Sequence, residues 1–418
     1  MTYNPASNPA SKHWERAIIL VDMNAFFASV EQLDKPEWQG RPIGITNGMR
    51  GSCIITCSYE ARAHGIRTGM RVKDAKRLCP DFIQVPARPE RYAEISTKIM
   101  HSLKSITPDL EVFSVDEAFL DVTKVQNIFG PPEVIAKLVQ KTVHKASGGA
   151  LCSVGLSGDK TTAKYAAKQN KPNGLTIIPP WLSEERLRNV PVTELCGIAK
   201  GIGLFLARRG VHSCGDMKKI PISVLGQRFG NPGRRIWYMA QGLDPDPIKT
   251  AVPPPKSVGH GKVMPPNTTD PEVVNTFLVH MCEKVGGRLR KHELETQRLL
   301  IAFRLANGDW IGDKYRTSAP CSDGKIFASL GKQLLKEQWD GEGVSQIQVT
   351  ALDPRPAQQQ VDMFMRTDKK RAALLRTVDC ANDRYGEFTV APARLLNRSD
   401  MPNVIAPAWK PEGHRQTI

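Results

Sequence analysis

The sequence holds nine cysteines but no CxxC pair, and no cluster of histidines completes a site with Cys53 and Cys57. That argues against the common zinc frameworks and points to reduced thiols in a cytoplasmic protein. No apolar run is long enough to span a membrane. The first 16 residues, MTYNPASNPASKHWER, contain no continuous apolar stretch, which predicts a loose tail rather than a signal peptide. No basic amphipathic helix stands out either. The excess of 58 Lys and Arg over 42 Asp and Glu, a net charge of +16, therefore points to nucleic acid before a membrane surface.

At 418 residues the chain is too long for one ordinary domain. Residues 17–22, AIILVD, are an apolar run ending in an acid, and NAFFASVEQL follows with helical character. RPIGITN and GSCIITCSY read as strands, and residues 60–78 carry a basic helical pattern. A helix is expected over 92–106, another over 128–146 behind Pro131 and Pro132, and a strand over ALCSVGLSG. Without residues 26–87 the order is strand, helix, strand, strand, helix, strand. That is the split βαβ, ferredoxin-like arrangement, and residues 26–87 become a small inserted domain. Past residue 178 the pattern turns helical and basic, with nine Lys or Arg against three Asp or Glu over 196–250, a net of +6. DPDPIKTAVPPPK, 244–256, reads as a linker. A second βαββαβ order follows: KSVGHGKVM, PEVVNTFLVHMCEKVGGRL, TQRLLIAFRL, DWIGDKYRT, KIFASLGKQLLKEQ and SQIQVTAL. The tail after Pro354 is polar and weakly patterned.

FSVDEAFLDV, residues 113–122, sets Asp116 and Glu117 side by side among strand formers. Successive strand residues point to opposite faces, so the two acids share a site only where the strand ends or bends. The stretch therefore reads as a hairpin with the acids at its turn. Asp22 ends the first strand, which neighbours the third at the centre of a split βαβ sheet. Asp22, Asp116 and Glu117 can thus meet. Three clustered carboxylates repel one another unless cations join them, and oxygen-only ligands favour magnesium or manganese. Two such ions can clamp the attacking and leaving oxygens of a phosphoryl transfer. Taken alone, the DE pair reads as a turn-capping Asp and a solvated Glu. Asp22 at the end of a second apolar strand shifts the reading to a metal site. Asp121 reads as an exposed or capping acid, Glu31 and Asp34 as surface residues, and Lys160, Lys164 and Lys168 mostly as a solvated helix face.

VDMNAFFASVE, CSYEARAHGIRTGM, FSVDEAFLDV and KPNG, in this order and spacing, resemble the Y-family DNA polymerases of the DinB/UmuC type, over residues 17 to about 355. The resemblance implies an α+β multidomain chain. The ferredoxin-like palm is 17–25 and 88–178, the fingers insertion 26–87, and the helical thumb with its helix-hairpin-helix 179–243. The linker is 244–256 and the βαββαβ little finger 257–355, between tails at 1–16 and 356–418. These segments leave no stretch for a proofreading exonuclease. The resemblance implies template-dependent, low-fidelity translesion synthesis from dNTPs on primer-template DNA, with two Mg2+ ions on Asp22, Asp116, Glu117 and the backbone carbonyl of Met23. It places Phe27, beside Phe26, under the incoming sugar as a barrier to a 2′-hydroxyl, one ring facing the core and the other the site. Small Ser52 and Cys53 would leave an open roof over the nascent pair. Tyr59, Arg62 and Lys171 match triphosphate contacts, with Thr56 a weaker match.

ELCGIAKGIGLFLARRGV resembles the family's DNA-phosphate-binding hairpin, with Gly197, Ala199, Lys200 and Gly201 at its turn. Ala199 stands where a glycine is common. Asn24 stands where DinB-type members commonly have Asp and looks more like the UmuC branch, as does RAALLRTVDCANDRYGEFTV, so a UmuD-like subunit enters as a partner to test. In QQQVDMF, residues Gln360, Met363 and Phe364 resemble the peptide that docks bacterial polymerases on the sliding clamp. Two rival readings are an inactive scaffold in DNA repair, opposed by the intact acids and Phe27, and a nucleotide cyclase, opposed by the thumb, linker and second βαββαβ segment.

Overall fold

The computed structural model describes residues 13–49, 53–357 and 369–398. The chain divides into two compact units at Ala251/Val252, each with its own apolar core.

The first unit opens with β1 (Ile18–Met23), whose six residues are all buried. An unbroken apolar run has no side to give to water, so it suits a central strand covered on both faces. Helix α1 (Phe26–Asp34) follows. The chain then builds a separate three-stranded sheet from β2 (Ile43–Thr46), β3 (Ile54–Cys57) and β4 (Ile83–Pro86), ordered β3-β2-β4. Two short helices, α2 (Tyr59–Ala63) and α3 (Val72–Leu78), pack on its small core of Ile54, Ile66 and Phe82. The single basic helix expected over 60–78 is thus broken in two, and Gly65 and Gly69 between its halves take left-handed φ values of 80° and 84°.

Helix α4 (Pro89–Lys104) leads to β5 (Leu110–Val112) and β6 (Glu117–Asp121). One-turn α5 (Gln126–Phe129), α6 (Pro132–Ser147), β7 (Cys152–Ser157), α7 (Lys160–Gln169) and β8 (Leu175–Ile178) complete this part. The sheet order is β5-β6-β1-β7-β8. Its first four strands are antiparallel neighbours in the expected split βαβ order, and β8 joins parallel to β7. Neither β4 nor β8, each four residues long, stood out in the sequence. The α7 side of the sheet is packed by Ile18, Leu20, Phe119, Ala163 and Ala167. Gly155 makes that approach feasible, since a Cβ there would lie 2.0 Å from the Ala163 carbonyl oxygen.

Helices α8 (Pro180–Leu187), α9 (Lys200–Ala207) and α10 (Ile222–Met239) surround Leu187, Leu206 and Leu225. Two segments expected to be loose are pinned. Trp14 is buried, its indole N–H donating to Glu133, and Arg16 donates to the carbonyls of Asp244 and Asp246. Asp244 in turn accepts from Arg235 and Thr161, so the start of the Pro-rich stretch is fastened to this unit.

The second unit contains all six elements read from the sequence. They are β9 (Ser257–Thr268), α11 (Pro271–Lys291), β10 (Leu294–Leu305), β11 (Trp310–Cys321), α12 (Gly324–Gln338) and β12 (Val344–Leu352). The antiparallel sheet is ordered β11-β10-β12-β9. Beyond it the polar tail proves partly structured. Helix α13 (Lys369–Tyr385) is held by Arg371 on Asp323 and by Asp379 on Arg290, and Leu395 is fully buried in the core. Its attachment is mostly ionic, which leaves little apolar periodicity to read. QQQVDMF, with Gln360, Met363 and Phe364, lies outside the described residues.

Candidate active site

Asp22 is the penultimate residue of β1, and its register partner on β6 is Glu117. Directly opposed residues on neighbouring strands share a face, so these two carboxylates point the same way. The stretch 113–122 is a hairpin: the N–H groups of Phe113 and Ser114 donate to the Glu117 carbonyl at 3.0 and 3.1 Å. Asp116 sits in its turn, freed from strict alternation. The Asp116 carbonyl accepts from the Met23 N–H at 2.9 Å, tying the turn to the end of β1. Ser114 Oγ donates to Asp116 Oδ1 at 2.6 Å. Asp121 accepts from the N–H and hydroxyl of Thr123 and is a capping acid.

Two lysines meet these acids. Lys171 Nζ lies 2.5 Å from Asp22 Oδ2, and Lys164 Nζ lies 2.5 Å from Glu117 Oε1. The expected solvated face of α7 is therefore corrected for two of its three lysines. Lys164 serves Glu117, and Lys160 is buried between Glu111 and Asp246. Lys168 is exposed. Burial pushes Asp22 up to about 6; Lys171 opposes the rise, and Glu117 and Asp116 add to it. Burial also raises Asp116, against the Ser114 hydrogen bond. Even with its lysines the cluster is short of positive charge, and its oxygen-only donors suit a hard divalent cation. Among the described residues no three His, Cys, Asp or Glu side chains are drawn into a closed metal cage.

Ala25, at φ 44° and ψ 45°, turns the chain sharply from β1 into α1. Phe26 and Phe27 occupy the first turn of that helix, and both are buried, so the expected split between a core ring and an open one is not observed. Phe27 stacks on Tyr92 at 4.2 Å and 11°. The Tyr92 hydroxyl donates to Glu31 at 2.7 Å, and Arg88 pairs with Glu31 at 2.7 Å. Glu31 is 1% exposed, so it is a buried, satisfied acid rather than a surface residue. Asp34 lies at the edge of this network, held below its ordinary range by hydrogen bonds from Arg91 and Arg88.

Thr56 lies on β3 opposite Ile45. Tyr59 and Arg62 lie on α2, whose start is capped by Ser58, and the Arg62 guanidinium sits 4.8 Å from the Tyr59 ring centre. The buried Tyr59 hydroxyl has no hydrogen-bond partner, an unmet donor that suits a phosphate oxygen. Cys53 is exposed, and Ser52 lies outside the described residues. The KPNG loop is anchored by Asn24. Asn24 Oδ1 accepts from the Asn173 N–H at 2.7 Å, while Asn24 Nδ2 donates to Ser153 Oγ at 3.0 Å. Gly174 is needed for closeness, since a Cβ there would lie 1.8 Å from the Asn170 carbonyl oxygen.

A family model described as the impB/mucB/samB family matches residues 21–168, and that family's C-terminal domain matches residues 255–363. The chain is 34% identical over 388 residues to "DNA polymerase IV" of Moorella thermoacetica, covering 91% of this chain and 96% of that one. It is 33% identical over 391 residues to "DNA polymerase IV" of Desulfatibacillum aliphaticivorans, covering 91% and 97%. A solved Y-family DNA polymerase chimera matches with a TM-score of 0.71 and 25% identity, over 81% of this chain and 99% of that one. The chain belongs to the impB/mucB/samB family, the Y-family DNA polymerases.

Two surfaces of this Y-family chain are suited to a polyanion. At the start of α9, Gly197 takes φ 93°, while Ala199 is the N-cap with extended backbone at φ −85° and ψ 178°. The position occupied by Ala therefore needs no left-handed conformation, and the departure from glycine carries no strain. Lys200 and Gly201 follow, exposed, at the helix N-terminus. On the second sheet, strand alternation puts Leu299, Ile301 and Phe303 in the core and leaves Arg298 and Arg304 exposed. Their register partners on β11 include Arg316 opposite Arg298, and Lys314 is exposed nearby. The even spacing of Arg298 and Arg304 in TQRLLIAFRL puts both on one face of a strand.

Proposed function

We propose that this DNA-directed DNA polymerase carries out low-fidelity translesion synthesis, extending a primer with dNTPs past damaged template bases. The observation that carries the reading is the meeting of β1 with the β5–β6 hairpin, which gathers Asp22, Asp116 and Glu117 at one point. Those three side chains and the Met23 carbonyl would hold two Mg2+ ions. When bound, the metal supplies an activated primer 3′-hydroxyl and charge stabilisation of the pyrophosphate leaving group.

The remaining groups bind and orient. Lys171, Arg62 and Tyr59 take the triphosphate, with Thr56 beside them on β3. Phe27, braced by Tyr92, walls off the space a ribose 2′-hydroxyl needs. Backbone N–H groups at Gly197, Ala199, Lys200 and Gly201 take a DNA phosphate, positioning the duplex without reading bases. Gln360, Met363 and Phe364 dock on the sliding clamp, and a UmuD-like subunit is a further partner.

Primer extension by the purified protein on undamaged and lesion-bearing templates tests this reading. Extension on both supports it, and a stop at every lesion overturns the translesion assignment. Replacing Met363 and Phe364 by alanine should leave basal extension unchanged and remove stimulation by the clamp.

A further inference from the structure

Lys164 has no role in the motif that accounts for Lys171, yet the fold delivers it to the acid cluster. Its side chain is 12% exposed and pairs with Glu117, whose side chain is 15% exposed. Its ammonium also lies 4.4 Å from the Phe113 ring centre, at the hairpin turn. The helix that carries it is fixed on three sides. Asp159 caps its start by accepting from the Thr162 N–H, Gly155 lets it pack tightly on β7, and Lys160 is locked between Glu111 and Asp246. Lys164 is therefore held beside Glu117 by more than its own ion pair.

We propose that Lys164 is a positioning residue that competes with a divalent cation for Glu117 and thereby couples metal loading to nucleotide arrival. The proposal rests on the reading of Asp22, Asp116 and Glu117 as metal ligands. An ammonium in contact with a carboxylate oxygen takes up its lone pair and cancels its charge, and partial burial strengthens the attraction relative to water. A metal ion that takes Glu117 sets two positive charges against a third, so the ammonium must give way. A nucleotide triphosphate offers that ammonium new oxygen partners. Metal alone then binds weakly, metal with nucleotide binds tightly, and the coupling is reciprocal. Lys171 competes in the same way at Asp22, but the reading above already assigns it to the triphosphate. Lys164 turns to phosphate only once it has left Glu117, so the two lysines can be tested apart.

The experiment is Mn2+ binding to the full chain, followed by electron paramagnetic resonance with and without a non-hydrolysable dNTP. Lys164→Gln keeps a hydrogen-bond donor and loses the charge; Lys164→Arg keeps both. Nucleotide-free Mn2+ affinity should rise about 5–20-fold in Lys164→Gln and stay near wild type in Lys164→Arg. With nucleotide present the Gln variant should gain much less. An unchanged or weaker nucleotide-free affinity in a folded Lys164→Gln overturns the proposal. A measurement on the wild-type chain needs no variant: Mn2+ should speed acylation of Lys164 by an amine reagent, and unchanged labelling also overturns it. Asp116→Asn separates two failures. Undiminished Mn2+ binding in that variant overturns the metal-site assignment itself, whereas loss there with a flat Lys164→Gln response overturns only the competition.

Discussion

The two βαββαβ regions share an element order and differ in how their strands are arranged. In the first, the opening strand β1 lies at the centre, between β6 and β7. In the second, the opening strand β9 lies at the edge, and β10 and β12 are central. The difference follows from burial. All six residues of β1 are buried, whereas β9 exposes or half-exposes most of its residues, including Gly259 and Gly261. A strand without a wet face must be flanked and covered, and a strand with one tolerates the edge. Only the central position brings the end of β1 against the 113–117 turn, where three carboxylates meet. The second sheet instead keeps a polar face with Arg298, Arg304, Lys314 and Arg316. One element order thus yields a cluster of three carboxylates in one unit and a basic strand face in the other.

Core substitutions should break this comparison most strongly. Leu20→Ala and Ile301→Ala each remove a fully buried side chain from a different core, and each should cost its own unit about 2–5 kcal/mol. Hydrogen exchange read by mass spectrometry should place each loss in its own unit; a shared loss would show the units to be one cooperative body. Next in size, changing Arg298, Arg304, Lys314 and Arg316 together to Gln should weaken DNA binding about a hundredfold near physiological salt. The log–log salt slope should flatten by up to about 3.6, with the chemical step unchanged at saturating DNA. Phe27→Ala should shift the ribonucleotide-to-deoxyribonucleotide incorporation ratio by roughly 10–200-fold, and an unchanged ratio would place the sugar barrier elsewhere.

A pH response of opposite sign is also expected in the two units. In the first, burial raises Asp159 to about 6, opposed by its Thr162 hydrogen bonds. A carboxyl raised above its unfolded value takes its proton first in the folded chain, so this group adds stability as pH falls from about 7 to 4. In the second, burial lowers His260 to about 3, with Arg288 and Lys284 adding to the shift, and lowers His280 to about 4, with Lys262 and Lys284 adding. The unfolded histidines protonate near 6.5 while the folded ones stay neutral, so stability is lost as pH falls below 6.5. Each contributes up to about 1.4 kcal/mol per pH unit. In thermal melts across pH, Asp159→Asn should remove its own share of the first response, with Asp22 still contributing, and His280→Gln should weaken the second, with His260 still contributing.

Much of this was legible in the sequence because burial leaves periodicities. AIILVD announced an apolar strand ending in an acid, TQRLLIAFRL announced a strand of the second βαββαβ order, and adjacent acids in an apolar stretch announced a turn. What escaped was set by partners distant in sequence. Glu31 and Lys164 look like surface charges until Arg88, Tyr92 and Glu117 are brought to them. Asn24 gains its place only when the KPNG loop folds back onto it. Trp14 and α13 are fastened by contacts 48 or more residues away in the chain, which no local pattern records.

In the proposed function the first sheet performs the chemistry through the acids its arrangement gathers, while DNA is held largely by other surfaces. Asp116→Ala, measured in one preparation for single-turnover primer extension and for primer-template affinity, tests it most directly. Extension should fall by roughly a thousandfold or more while affinity stays within about twofold. Near-normal extension, or a loss of affinity as large as the loss of rate, would contradict it.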